Sequence, residues 1–214
     1  HAHAIHAMLT VSRVEWSRDI ATACVECQDR PRLLLNPDFV QRWCHTPERL
    51  AALILHELMH IALGHTRLYP QPTAIHNIAF DAIINRSVLD AIMAGGANVQ
   101  AYAAMFTDFY AANASPAFLL RPPPSWPLTP DWQASLGQPE PLRDVHRRLY
   151  DVVAASNTHD IAPTYTQVMY ADVIQALRSS GLVTEVKVEL LGAHGTTEVE
   201  ITAMGGARTR EIAE

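Results

Sequence analysis

Residues 47–65 read PERLAALILHELMHIALGH and residues 73–90 read TAIHNIAFDAIINRSVLD, and the fold turns on how these two stretches combine. Thr46-Pro47-Glu48 is a helix start: the threonine hydroxyl can accept from free backbone amides, proline suits the first turn, and a carboxylate complements the positive end of the helix dipole. The spacing predicts a helix from Pro47 to Leu63, stopped by Gly64. Thr73 opens a second helix through about Met93, ended by Gly95-Gly96. Leu53, Ile54, Leu55, Leu58, Met59, Ile61, Ala62 and Leu63 make the first helix apolar nearly all round, the mark of a buried element. Two histidines and a glutamate inside it need a reason, because a buried charge without partners is costly.

His56-Glu57-Leu58-Met59-His60 supplies one. Residues four apart on a helix lie one turn above each other, so His56 and His60 can aim two imidazole nitrogens at one metal ion. Glu57, one step round, reaches a water molecule on that ion without being a ligand and is the candidate general base. With 11 histidines in 214 residues, a shuffled chain would give roughly 0.03 matches to H-E-x-x-H. Core histidines with a salt-bridged Glu57 are the plainer alternative.

A catalytic zinc site commonly has three protein ligands and one open position. His65 is nearest in sequence, but five residues beyond His60 a continued helix would point it about 140° away, and only a turn at Gly64 brings it back. The metzincin spacing is not met. On the following helix Asn77, Asp81 and Asn85 recur every four residues among Ile75, Ile78, Ala79, Phe80, Ala82, Ile83 and Ile84, one polar stripe on an apolar rod. A carboxylate with an amide one turn to each side fits a metal ligand held by hydrogen-bonding neighbours. Asp81 is therefore favoured as third ligand over His65, and a solvated helix face is the competing reading of the stripe.

Elsewhere, residues 12–28 carry a helical pattern, Arg32-Leu33-Leu34-Leu35 closed by Asn36-Pro37 reads as a strand, and helices are expected at Pro37–Cys44 and Val99–Ala112. Between Pro116 and Pro141 lie eight of the chain's 14 prolines, so an extended connection is expected there, pinned by Trp126 and Trp132. Helices resume at Leu142–Ser156 and Tyr165–Ser180, the second ended by Gly181. Val186, Val188 and Leu190, then Val199 and Ile201, alternate with polar residues across a Gly192–Thr197 turn, the pattern of a hairpin. Residues 205–214 read as a frayed end. The class is α+β, mostly helical, with a small sheet and a C-terminal β-hairpin. Residues 1–113 read as a metal-binding core, 114–141 as a proline-rich connection or lid, and 142–214 as a helical segment with the hairpin in the same domain.

Composition narrows the function. Sixteen Lys+Arg against 22 Asp+Glu give a net charge of −6 without a basic run, so nucleic acid is not the expected ligand. No apolar run reaches the length of a membrane span, and the opening HAHAIHAM lacks the order of a signal peptide, so a cytoplasmic protein is expected. The 3 cysteines are expected as reduced thiols. Cys24 and Cys27, with Cys44-His45 downstream, invite a zinc-knuckle reading, but on a helix over residues 16–28 they read better as core thiols.

The runs LLLNPDFVQRW, LILHELMHIALGH and HNIAFDAIIN together resemble the bacterial metallopeptidase domain often found ahead of a von Willebrand factor A-like domain. The resemblance is closest over roughly residues 30–90. The family pattern H-E-x-x-H-x-x-x-G-H followed by N-I-A-x-D-x-x-I-N falls on His56, Glu57, His60, Gly64, His65, Asn77, Asp81 and Asn85, with His76 where the family has tryptophan. The resemblance implies a zincin-like fold, a Zn2+ cofactor, a peptide or protein substrate, and a von Willebrand-like domain or an AAA-type ATPase as partner. No D-x-S-x-S motif of a von Willebrand-like domain occurs in the chain.

The expected chemistry is peptide hydrolysis. Zinc held by His56, His60 and Asp81 lowers the pKa of its water, and Glu57 takes the proton and later delivers it to the leaving amine. His65, His76, Tyr69 and Tyr102 are candidates for a further oxyanion donor, His65 beyond Gly64 alternatively for orienting a ligand or the loop, and Asn77 and Asn85 for holding the ligands. The proline-rich segment is a candidate wall or lid. The 31–35 strand is a candidate for pairing with substrate backbone. The rival is a catalytically silent, metal-stabilised interaction module.

Overall fold

In a computed structural model, the structure describes residues 13–26, 32–65, 72–111, 115–151, 168–181, 185–188, 190–191, 197–201 and 207–208. The architecture is α+β and mostly helical. Strands β1 (Arg13–Trp16), β2 (Ala23–Glu26) and β3 (Arg32–Leu35) precede the helices α1 (Pro37–Trp43), α2 (Pro47–Ala62), α3 (Ala74–Ala94), α4 (Val99–Phe109), α5 (Glu140–Tyr150) and α6 (Tyr170–Ser179). Strands β4 (Glu185–Val188), β5 (Thr197–Ile201) and β6 (Ala207–Arg208) follow.

The helical reading of residues 12–28 is overturned: the stretch forms β1 and β2. Sheet order is β1-β3-β2, with β1 parallel and β2 antiparallel to β3. Val14 and Trp16, like Ala23 and Val25, are spaced two apart, and pairing with the Leu-rich β3 selects that period over a helical one. Leu33, Leu34 and Leu35 are buried in this central strand. Both long sides of β3 are already paired, so it is not the open edge that a substrate could join. Cys24 therefore lies on a strand, Cys27 lies outside the described residues, and Cys44 is a free thiol.

The helix starts follow the capping chemistry. Asn36 Oδ1 accepts from the amides of Asp38 and Phe39, and Thr46 Oγ1 accepts from Arg49. Gly64, at φ 71°, ends α2 in the left-handed region that glycine enters without strain. Helix α3 is the central rod, packed against α2, α4, α5, α6 and the short 3-10 turn Ala117–Leu120. From Ala74 to Asp90 every residue except His76 and Ser87 is buried, so the Asn77–Asp81–Asn85 stripe is no solvated face. Helix α2 is less enclosed than its composition suggests. Its buried residues are Ala52, Leu53, His56, Glu57 and His60, one stripe, while Ile54, Leu55, Leu58 and Ile61 are half-buried.

The proline-rich segment is more structured than a bare connection. It contains 3-10 turns at Ala117–Leu120 and Trp132–Ser135. The buried Trp126 anchors it by donating its indole N–H to the Tyr150 carbonyl at 3.0 Å, and Trp132 packs on the His146 ring. Helix α5 starts two residues before the expected Leu142 and ends at Tyr150, where Asp151 is extended, short of the expected Ser156; α6 starts at Tyr170 after the extended Met169, later than the expected Tyr165, and residues 152–167 lie outside the described residues. The expected hairpin forms, with β4 antiparallel to β5. A part of the expected frayed end is ordered, because Ala207–Arg208 pairs with β5. No helix among the described residues is long and apolar enough to cross a membrane.

Candidate metal centre

Helices α2 and α3 place His56, His60 and Asp81 together. The two Nε2 atoms are 3.3 Å apart, and Asp81 Oδ1 lies 3.7 Å from His56 Nε2 and 3.5 Å from His60 Nε2. Four-coordinate zinc holds donors at about 2.0–2.1 Å, which separates neighbouring donors by about 3.3 Å. The three edges match one face of such a tetrahedron. Two ring nitrogens facing each other at this distance beside a carboxylate are best accommodated when both present lone pairs to a shared cation. Among the described residues this is the one group of three whose side chains could hold a metal ion. His56 and Asp81 are 0% exposed, Glu57 3% and His60 4%.

Asn85 sets the orientation of His56. Its Oδ1 accepts from His56 Nδ1–H at 2.7 Å, and its Nδ2 donates to the Leu120 carbonyl at 2.8 Å. The Leu120 contact orients the amide, and the amide in turn fixes His56 as the tautomer with its Nε2 lone pair towards His60 and Asp81. The proline-rich segment thus contributes to the centre through a backbone carbonyl.

Glu57 is fully buried and accepts a hydrogen bond from the backbone amide of Val25 on β2. Burial, reinforced by the neighbouring Asp81 carboxylate, pushes its carboxyl well above the usual range, with the Val25 bond opposing. Its Oε1 has no hydrogen-bond partner among the described residues. The strand that meets the centre is β2, an edge strand, rather than β3.

His65 is brought back by the Gly64 turn but not onto the three donors. Its Nδ1 lies 3.1 Å from His60 Nδ1 and its Nε2 2.7 Å from the Tyr170 hydroxyl. His76 serves the start of α3, where its Nδ1 accepts from the Thr73 amide at 3.2 Å. Asn77 is buried, and its Oδ1 has no hydrogen-bond partner among the described residues. Tyr102 is half-buried on α4, and Tyr69 lies outside the described residues.

The sequence reading missed two tyrosines. Tyr110, immediately after α4, is fully buried; its hydroxyl accepts from the Leu191 amide at 3.2 Å and hydrogen-bonds the Asn85 side chain. Burial first, then Asp81, pushes that phenol well above its ordinary range. Tyr170 reaches His65 from a position 105 residues away. Neither belongs to a local motif, so no spacing rule reveals them. Cys24, Cys44 and His45 form no metal-holding group among the described residues.

No curated protein and no solved structure matches the chain. Residues 1–105, which hold His56, Glu57, His60 and Asp81, match a family model described as a putative metallopeptidase domain.

Proposed function

We propose that this protein is a zinc-dependent peptidase of zincin type, with His56, His60 and Asp81 as metal ligands and Glu57 as general base. The observation that carries the reading is the Nε2–Nε2–Oδ1 triangle with edges of 3.3, 3.5 and 3.7 Å, whose donor types and spacing suit a zinc ion. When bound, such an ion supplies the positive charge that acidifies water and polarises a carbonyl. Glu57 has the attributes of a proton acceptor and donor: a buried carboxyl beside Asp81, raised above its ordinary range by burial first and by the Asp81 charge second. The Val25 amide holds the carboxylate on the side of β2, whose outer edge offers backbone groups for an extended peptide. Asn85 keeps the His56 Nε2 lone pair turned inward.

The test measures zinc content and hydrolysis of a peptide library by the wild type and by Glu57→Gln. The expected result is stoichiometric zinc in both and turnover lower by about 10²–10⁴ in the variant. Equal turnover in the two would overturn the assignment. The near-complete burial of all four residues favours one second reading, a metal-stabilised module that works through a von Willebrand-like domain or an AAA-type ATPase. Zinc bound by the wild type without any Glu57-dependent turnover selects it.

A further inference from the structure

The contacts of His65 exceed what the loop after α2 needs. Its Nδ1 meets His60 Nδ1 at 3.1 Å, on the side of the His60 ring opposite the donor triangle, and its Nε2 meets the Tyr170 hydroxyl at 2.7 Å. Its ring lies stacked on Phe80, with centroids 4.2 Å apart and planes at 19°. Tyr170 packs edge-on against the same Phe80 at 5.3 Å and against His65 at 5.2 Å. Phe80 immediately precedes Asp81 on α3.

We propose that His65 and Tyr170 are positioning residues for the ligand His60, so that α6, which lies outside the family-matched span, completes the metal centre. The proposal rests on the metal reading above and follows from the proton positions it requires. A His60 that presents the Nε2 lone pair to an ion carries its proton on Nδ1, and that proton is donated to His65 Nδ1. His65 is then the Nε2–H tautomer, and its proton goes to the Tyr170 oxygen. The opposite tautomer of His65 would set two N–H groups against each other at 3.1 Å. The chain of donors runs one way, from the metal ligand to α6.

The same geometry assigns His65 a role other than ligand. Both of its ring nitrogens face groups away from the His56–Asp81 edge, and the Phe80 stack holds its plane. The left-handed turn at Gly64 makes this placement reachable. Tyr170 is the first residue of α6, so the hydroxyl that meets His65 is carried by the start of that helix.

The experiment measures zinc affinity by chelator competition, and the visible absorption of the cobalt-substituted protein, for full-length wild type, Tyr170→Phe, His65→Phe and His65→Gln. Tyr150→Phe is the control, a buried tyrosine in another part of the core. Loss of an outer partner of a metal ligand costs about 10–100-fold in affinity. Tyr170→Phe keeps its ring against Phe80 and is expected to weaken zinc about tenfold and to shift the cobalt bands. His65→Phe weakens it further, and His65→Gln, which retains one acceptor and one donor, recovers part of the loss. Tyr150→Phe leaves both readouts unchanged. Tyr170→Phe that binds zinc within twofold of wild type with the same cobalt spectrum overturns the proposal, whatever His65→Phe does or whether it folds. A wild type that takes up no divalent ion overturns the metal reading and this inference with it.

Discussion

Two buried polar clusters share helix α3 and have opposite electrostatics. One turn past Asp81, Arg86 and Asp90 form an ion pair at 2.8 Å, both buried, with the guanidinium over the rings of Trp126 and Tyr150 at 5.2 and 5.8 Å. That cluster contains its own cation and two aromatic faces that favour it. At the other, two carboxylates oppose each other, Asp81 raising Glu57, and two imidazole nitrogens converge on the same point. The first contains the counter-charge of its carboxylate. The second is a donor group that an added cation fits. Burial alone therefore does not mark a functional site; the sign and convergence of the buried groups do.

The largest effect that sharpens the contrast comes from breaking the first cluster. Asp90→Ala leaves Arg86 buried without its acid, a change that costs about 3–5 kcal/mol. Denaturant unfolding is expected to show that loss while zinc affinity stays unchanged. A parallel fall in zinc affinity would mean that the two clusters are one unit, and the contrast would fail.

A smaller effect reads the other cluster. Zinc at a hundredfold excess over its dissociation constant is expected to stabilise the wild type by about 2.7 kcal/mol, through binding to the folded state alone. Asp81→Ala removes the proposed third ligand and is expected to lose most of that gain. Thermal melts with and without zinc check both statements, and an undiminished gain in Asp81→Ala would remove Asp81 from the ligand set.

The difference between the clusters also explains what the sequence made visible. His56, Glu57, His60, Asp81 and Asn85 stand at helical spacings on two strongly apolar helices, so their convergence follows from periodicity and from the packing of adjacent rods. The caps at Asn36 and Thr46 and the stop at Gly64 are local chemistry and equally legible. The β1 and β2 strands were not, because residues 13–26 suit either period until β3 is present to pair with them. Tyr110, Tyr170 and the Leu120 carbonyl were hidden for the same reason: each reaches the centre through tertiary contact. The Arg86–Asp90 pair reads locally as an ordinary i,i+4 salt bridge, and only its burial under Trp126 and Tyr150 makes it part of the core.

The smallest effect concerns a buried histidine that serves no convergent site. His146 donates Nε2–H to the Arg121 carbonyl at 2.9 Å and is enclosed by the rings of Phe118, Trp132 and Tyr150. Burial lowers its pKa to about 4, with the Arg121 carbonyl opposing and the Arg121 charge adding to the depression. The unfolded chain has the ordinary value near 6.5, so as pH falls through that value the unfolded state takes up a proton that the folded state refuses. The stability from neutral His146 is thus present above about pH 6.5 and is lost progressively towards pH 4. Between pH 7 and pH 5 the loss amounts to about 2 kcal/mol. Unfolding of metal-free wild type and metal-free His146→Gln at both pH values isolates this contribution, since every other titrating group is common to the two chains. The variant is expected to be less stable at pH 7 and to lose about 2 kcal/mol less on acidification. Equal pH slopes would show that folded His146 takes up its proton as readily as the unfolded chain does, so that burial does not depress its pKa.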